Sequence, residues 1–162
     1  MARAKSPVVG QEAPDFTLPG VQLVDDDVVR RDITLSALRG SPVLLVFYPG
    51  DETAGCTAQL CSYSSGLGAF DELGAEVVAV SRQGLESHEH FARKERLSMP
   101  LLADTEGTVI DRYGVSLAGL TARRSEFLID AAGIVRYRRI GIVGVTWTKP
   151  EELVAELAKL AA

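Results

Sequence analysis

Apolar residues along this chain fall into short blocks separated by turn-forming clusters, and the spacing inside each block predicts its element. The run Pro42-Val43-Leu44-Leu45-Val46-Phe47-Tyr48 is almost uninterrupted, rich in β-branched and aromatic residues, and reads as a strand buried on both faces. Pro49-Gly50 ends it. Glu76 to Ser81 repeats that character, and Ser125 to Ile129 with Ile134 to Ile140 form two more strands around the turn Asp130-Ala131-Ala132-Gly133. Asp15 to Leu18 and Val28 to Thr34 read as short strands around the turn-prone Asp25-Asp26-Asp27, and Leu35 to Leu38 as one helical turn stopped by Gly40. A helix is predicted from Cys56 to about Phe70, another from about Glu86 to Arg96, and a turn of helix near Val109 to Tyr113. The last helix opens at Lys149-Pro150-Glu151-Glu152, with Leu153, Val154, Leu157 and Leu160 forming its apolar stripe and the proline in the first turn. Residues 1 to 13 read as a ragged start. Together these elements predict an α/β fold with a mixed sheet covered by helices, and no repeat or linker interrupts it.

Composition narrows the picture. At 162 residues and 46% hydrophobic, the chain is expected to form one domain over 1–162, burying about 68 to 70% of its unfolded surface. A formal net charge of −5 gives no general basis for gripping nucleic acid or an anionic membrane. The basic cluster Arg136, Arg138 and Arg139 reads as a solvated strand edge. No signal peptide or membrane-length apolar stretch is present in the sequence, so a cytoplasmic, reducing setting is expected.

Candidate chemistry concentrates in Thr53-Ala54-Gly55-Cys56-Thr57-Ala58-Gln59-Leu60-Cys61, which holds both cysteines, directly after the predicted buried strand. A helix starting near Cys56 puts that thiol in the first turn, where unsatisfied backbone N–H groups favour the thiolate. On an intact helix, positions five apart have Cα atoms roughly 8 to 9 Å apart and point away from each other. A disulfide wants about 4.4 to 6.8 Å. Two inert thiols, a static disulfide and a redox pair that forms and breaks all stay open at this point, and a bond between the two requires the helix to unwind.

Other constellations carry less. Gly50 and Gly55 have the spacing of a phosphate-binding loop, but Cys56 stands where its lysine belongs. A cysteine phosphatase needs an arginine six residues after its nucleophile, and that position is Ser62. His88 and His90 are two apart, on different helix faces, and read as part of a surface helix, so neither a metal nor another cofactor is expected. Gly66-Leu67-Gly68 marks a weak or broken helix end, and Trp147 a packing residue beside the final helix.

The run Phe47-Tyr48-Pro49, followed by Thr53, Gly55-Cys56-Thr57 and Cys61, resembles the peroxiredoxin Q group of thiol peroxidases, also called bacterioferritin comigratory protein. Upstream, Gly10-Gln11-Glu12-Ala13-Pro14-Asp15-Phe16-Thr17-Leu18 is similar to that group's opening segment. Val80-Ser81, Ser87-His88, Phe91, Lys94 and Met99-Pro100-Leu101-Leu102-Ala103-Asp104 follow its middle, and Tyr113-Gly114-Val115 with Arg124 to Gly133 its later strand and turn. The resemblance implies a thioredoxin-like fold with an N-terminal β extension. It implies that Cys56 is the peroxidatic cysteine and Cys61 the resolving one, joined in turn by an intramolecular disulfide that thioredoxin or a similar dithiol reduces. Thr53 would orient the thiolate and the hydroperoxide, Arg124 would hold the thiolate charged, and Pro49 and Gly55 would line the substrate pocket. An internal resolving cysteine also implies a monomer. A disulfide oxidoreductase or a non-enzymatic redox sensor is the alternative, the former weakened because its usual pair is separated by two residues and this one by four.

Two departures from that pattern bear on the site. Ala54 stands where the group usually has proline, removing a fixed φ from the loop. Glu126 stands where threonine or serine is more usual, on the same strand face as Arg124, and is a potential competitor for its charge, with Arg123 as the substitute guanidinium.

Overall fold

The computed structural model describes residues 5–141 and 146–160, so part of the expected ragged start, residues 1–4, lies outside it. In chain order the elements are β1 (Thr17–Val24), β2 (Asp27–Thr34), a 3-10 turn (Leu35–Leu38), β3 (Val43–Phe47), α1 (Ala54–Ser65), α2 (Leu67–Glu72) and β4 (Glu76–Ser81). These are followed by α3 (Leu85–Glu95), β5 (Leu101–Ala103), α4 (Thr108–Arg112), β6 (Ser116–Leu117), β7 (Thr121–Ala122), β8 (Ser125–Ile129), β9 (Val135–Ile140) and α5 (Pro150–Leu160). Seven strands form one sheet in the order β2-β1-β5-β4-β3-β8-β9, while β6 and β7 form a separate ribbon. β3, β4 and β5 are parallel, and the flanking pairs are antiparallel, which makes the sheet mixed as expected.

All five residues of β3 are buried because helices and loops cover both faces of the sheet. Val43, Leu45 and Phe47 pack on one face with Val78, Val80, Phe127 and the α4 residues Val109 and Ile110. Leu44 and Val46 point to the other, where Leu60 and Tyr63 of α1, Phe70 of α2, Phe91 of α3 and Leu153 and Leu157 of α5 close a second core. Trp147 packs against that second core, just ahead of α5. No helix among the described residues is long and apolar enough to cross a membrane.

Several elements depart from the sequence expectation. The first strand runs Thr17–Val24, well past the predicted Asp15 to Leu18, and its eight residues pair in register with β2 from Thr17↔Thr34 to Val24↔Asp27. Pro19 and Gly20 disguise it, yet Gly20 is what lets β1 pass β5: a Cβ there would lie 2.5 Å from the Leu102 side chain and 3.1 Å from the Leu101 carbonyl. The hairpin closes through Asp25 and Asp26 at φ 49° and 67°, the left-handed pair that a two-residue turn demands. β5 has only three residues and no alternation to announce it. The predicted helix from Cys56 to Phe70 is two helices parted at Gly66, whose Cβ would meet Pro150 at 3.3 Å. The start is less ragged than expected: Gly10 and Ala13 donate backbone bonds to the carbonyls of Val135 and Gly133 at 2.8 and 2.9 Å, and Glu12 bridges Ile134.

Candidate active site

α1 begins two residues earlier than the spacing suggested, and Thr53 is its N-cap. The Thr53 backbone is extended (φ −74°, ψ 147°), its Oγ1 accepts the Cys56 backbone N–H at 3.3 Å, and its carbonyl accepts that of Thr57 at 2.9 Å. A threonine cap satisfies one of the orphan donors of the first turn, so the helix starts here by its own local chemistry. Cys56 falls in that first turn, fully buried among Leu60, Tyr63 and Tyr48 of the second core.

Arg124 reaches the sulfur from the residue just before β8, with Nη2 3.4 Å from Cys56 Sγ and Nη1 on the side-chain oxygen of Gln59. Gln59, three residues after Cys56, shares its face one turn on and is wholly buried, its amide nitrogen without a partner among the described residues. Behind the arginine, Gly141 donates its N–H to the Arg124 carbonyl at 2.8 Å, and a Cβ at Gly141 would fall 2.7 Å from that oxygen. Only glycine permits this approach, so Gly141 sets how deeply the Arg124 backbone sits. Pro49 is half-buried and held by the Thr121 hydroxyl, which donates to its carbonyl at 2.6 Å; Gly55 is half-buried in the first turn of α1.

The structure therefore brings Cys56, Thr53, Gly55 and Arg124 together, with Pro49 at the start of the same loop. Cys61 also lies in α1, on an unbroken helix, half-buried, and both thiols are free. Its Sγ is 3.8 Å from Glu95 Oε2 of α3, and burial, then the Glu95 carboxylate, push its pKa up.

The expected competition by Glu126 does not occur. Its Oε1 accepts the Thr148 N–H at 2.7 Å and the Tyr63 hydroxyl at 3.0 Å, with Arg139 at 3.9 Å, and no hydrogen bond joins it to Arg124. Burial raises the pKa of Glu126 against the pull of these donors and of Arg139 and Arg124. Arg123 is not drawn in as a substitute: its described bonds are backbone ones, to Val115 and Ser125. Arg136 pairs with Asp130 at 2.8 Å, Arg138 donates to the Pro7 carbonyl at 3.1 Å, and Arg139 to the Thr146 hydroxyl at 2.8 Å, so each member of the basic cluster is engaged locally.

One expectation is wrong outright. His88 does not lie on an exposed helix face; it is fully buried, facing Asp51 Oδ2 at 2.7 Å and the Leu102 carbonyl at 3.0 Å. A helix of charged neighbours (Glu86, Glu89, His90) hid it, because two residues of separation say that 88 and 90 differ in face but not which one is inside. Asp51 and Gln59 were missed as well. Gln59 was findable from its i+3 relation to Cys56, whereas Asp51 and His88 are 37 residues apart and only the fold joins them.

The AhpC/TSA family pattern matches residues 9–138 of this chain. The chain belongs to the AhpC/TSA family and is a peroxiredoxin. A chloroplastic peroxiredoxin Q of Sedum lineare is 36% identical over 153 residues, covering 93% of this chain and 76% of that protein. One of Triticum aestivum is 38% identical over 130 residues, covering 79% of this chain but 57% of its own length. The chain thus spans little more than half of some curated relatives. Among solved structures, the reduced 2-Cys peroxiredoxin of Plasmodium vivax superimposes with a TM-score of 0.84 at 25% identity, over 94% of this chain and 96% of that one. AhpC of Mycobacterium bovis gives 0.86 at 20% identity, over 97% and 94%. The latter likeness speaks for the fold alone, which is thioredoxin-like across nearly the whole peroxiredoxin chain.

Proposed function

We propose that this peroxiredoxin reduces hydrogen peroxide and organic hydroperoxides through Cys56, acting as a single cytoplasmic domain and a monomer. The thiolate attacks one peroxide oxygen, the O–O bond breaks, and the products are Cys56 sulfenic acid and, after protonation, water or an alcohol. The Arg124 guanidinium is aimed where negative charge resides before attack and shifts during it, and preorganised donors of this kind favour such a transition state. Thr53 and the first-turn backbone fix the sulfur's position, and Pro49 and Gly55 border the pocket.

Cys61 then attacks the sulfenic sulfur, forming the Cys56–Cys61 disulfide and releasing water. An intact α1 holds the two thiols apart, so this step includes unwinding between them. Trapping by a second thiol keeps the sulfenic acid from climbing to sulfinic acid. Thioredoxin or a similar dithiol then returns both cysteines to thiols, being itself oxidised to a disulfide.

The observation that carries the reading is the 3.4 Å contact between Arg124 Nη2 and a buried Cys56 Sγ. Thioredoxin-coupled peroxide consumption by wild type, Cys56→Ser and Cys61→Ser tests it. Turnover is expected in the wild type alone, with one stoichiometric oxidation surviving in Cys61→Ser. A wild type that reduces insulin disulfides and leaves peroxide untouched makes the protein a disulfide oxidoreductase instead; slow stoichiometric oxidation without turnover makes it a sensor.

A further inference from the structure

Asp51 and His88 form a buried polar centre beside Cys56 that the chemistry above does not use. Asp51 Oδ1 accepts the Tyr48 hydroxyl at 2.6 Å, and Oδ2 accepts the Ser87 hydroxyl at 2.7 Å and faces His88 Nδ1 at 2.7 Å. On the other side of the ring, Nε2 faces the Leu102 carbonyl at 3.0 Å. A neutral imidazole has one N–H and one lone pair. Here oxygen acceptors flank both nitrogens, so a neutral ring would set its lone pair against one of them. Tyr48 does not relieve this: its hydroxyl lies 3.4 Å from Nδ1, but its single proton goes to Asp51. With the Asp51 carboxyl ionised, as its Tyr48 and Ser87 donors favour, both ring nitrogens face an acceptor, the arrangement that suits an imidazolium paired with a carboxylate.

Its place explains its use. Asp51 sits in the loop between β3 and α1, two residues before the Thr53 cap, and its backbone N–H also donates to the side-chain oxygen of Gln83. The carboxylate thus ties that loop to α3 and, through His88, to β5. Left alone, it would also place a second negative charge near the Cys56 thiolate. Burial first, then Asp51 and more weakly Cys56, raise the Tyr48 pKa, so one hydroxyl lies in the field of both. Burial opposes ionisation of Asp51, but His88, with the hydroxyls of Tyr48 and Ser87, outweighs it and holds that carboxyl below the ordinary range.

We propose that His88 is a positioning residue for the peroxidase reaction: as an imidazolium bound to Asp51 it fixes the loop that leads to Thr53 and Cys56, and cancels a carboxylate charge that would otherwise oppose the thiolate. The proposal rests on the reading of Cys56 as nucleophile. The groups facing the pair are Tyr48, the residue after β3, and Ser87 from α3, with only the Leu102 carbonyl from β5; Cys56 of α1 packs in the same core as Tyr48 and is felt at its hydroxyl. Glu52, the next loop residue, turns outward to Lys94 at 3.1 Å and His90 at 3.3 Å.

The test follows the ultraviolet absorbance of the Cys56 thiolate against pH in a Cys61→Ser background, with circular dichroism to establish folding. His88→Gln is expected to raise the midpoint by about one pH unit, leaving about tenfold less thiolate at any pH well below it. The double variant Asp51→Asn/His88→Gln, neutral at both positions, returns the midpoint to that of the parent, and Asp51→Asn alone does not raise it. An unshifted His88→Gln, or a double variant shifted as far as the single, overturns the proposal. If His88→Gln does not fold, Asp51→Asn and the double variant decide: a raised midpoint in either one overturns it. Loss of packing alone would not be repaired by removing a second buried partner. Because absorbance reports the thiol and not turnover, wild type that fails to consume peroxide defeats the peroxidase reading and leaves this result standing.

Discussion

At its N-terminal end α1 is held by charge and by its own cap: Thr53 closes the first turn, Arg124 grips the buried face at Cys56 and Gln59, and Asp51 with His88 anchors the loop leading in. In its second half the grip is different. Cys61 is half-buried against Glu95, and Tyr63 is pinned between the Thr148 carbonyl at 2.6 Å and Glu126 at 3.0 Å. One turn later the helix stops at Gly66. The first end fixes the position of a buried sulfur; the second rests on one hydroxyl whose single proton lies between two acceptors, with the Glu126 Oε2 left unpartnered among the described residues. On the proposed mechanism, such a helix keeps Cys56 in register while its far half is the part that opens.

The contrast is broken most sharply at Arg124. Arg124→Gln removes the cation at the sulfur, and kcat/KM for peroxide is expected to fall by about 10²- to 10³-fold, as for loss of one preorganised donor, read by stopped-flow oxidation. An unchanged kcat/KM would remove the charge-based account of that end. Tyr63→Phe strikes the other end. Losing the buried hydroxyl costs about 1 to 3 kcal/mol in a denaturant midpoint. Peroxide oxidation of Cys56 stays as fast, disulfide formation quickens, and mass spectrometry finds less sulfinic acid after excess peroxide; more sulfinic acid would mean that the hydroxyl does not restrain opening.

Acid and base should act on the two ends with opposite sign. Asp51 has a depressed folded pKa, so its contribution is present above the ordinary aspartate value and is lost as pH falls through the folded one. Glu126 has a raised folded pKa, so its contribution is complete below the ordinary glutamate value and is lost as pH rises through the folded one. Urea midpoints against pH should therefore show Glu126→Gln abolishing part of the decline above the ordinary glutamate range, and Asp51→Asn abolishing part of the loss at acid pH. Curves that merely shift in parallel would sink the distinction.

The smallest effect concerns Ala54. Thr53 already has the extended backbone that precedes proline, and Ala54 is the first helical residue, where proline's missing N–H is harmless. Ala54→Pro is expected to stabilise by about 0.4 to 1 kcal/mol, seen as a higher Tm, because it restricts the unfolded chain. A lower Tm would show that this end is not preset as described.

Much of this was legible before any coordinate. The buried strand, the helix that carries both cysteines, the final helix and the break near Gly66 follow from local pattern, since apolar spacing, caps and glycines act over one or two turns. Thr53, Cys56 and Arg124 were legible through resemblance, and the structure brings them together. β5 was not legible, because three residues carry no period. The first strand was misread because Pro19 and Gly20 look like breakers until β5 is seen beside them. His88 was misread because a two-residue spacing says nothing about which face is inside.

The sequence by itself determined where the sulfur chemistry sits, that a helix starts beside it, and that two thiols five apart cannot bond while that helix is whole, because these are consequences of covalent spacing and helix geometry. Only the tertiary structure decided which charges meet. Glu126 turns to Tyr63 and Thr148 rather than to Arg124, and His88 turns inward to Asp51, because a buried polar group must find a partner and the nearest ones come from strands and helices far away in the chain.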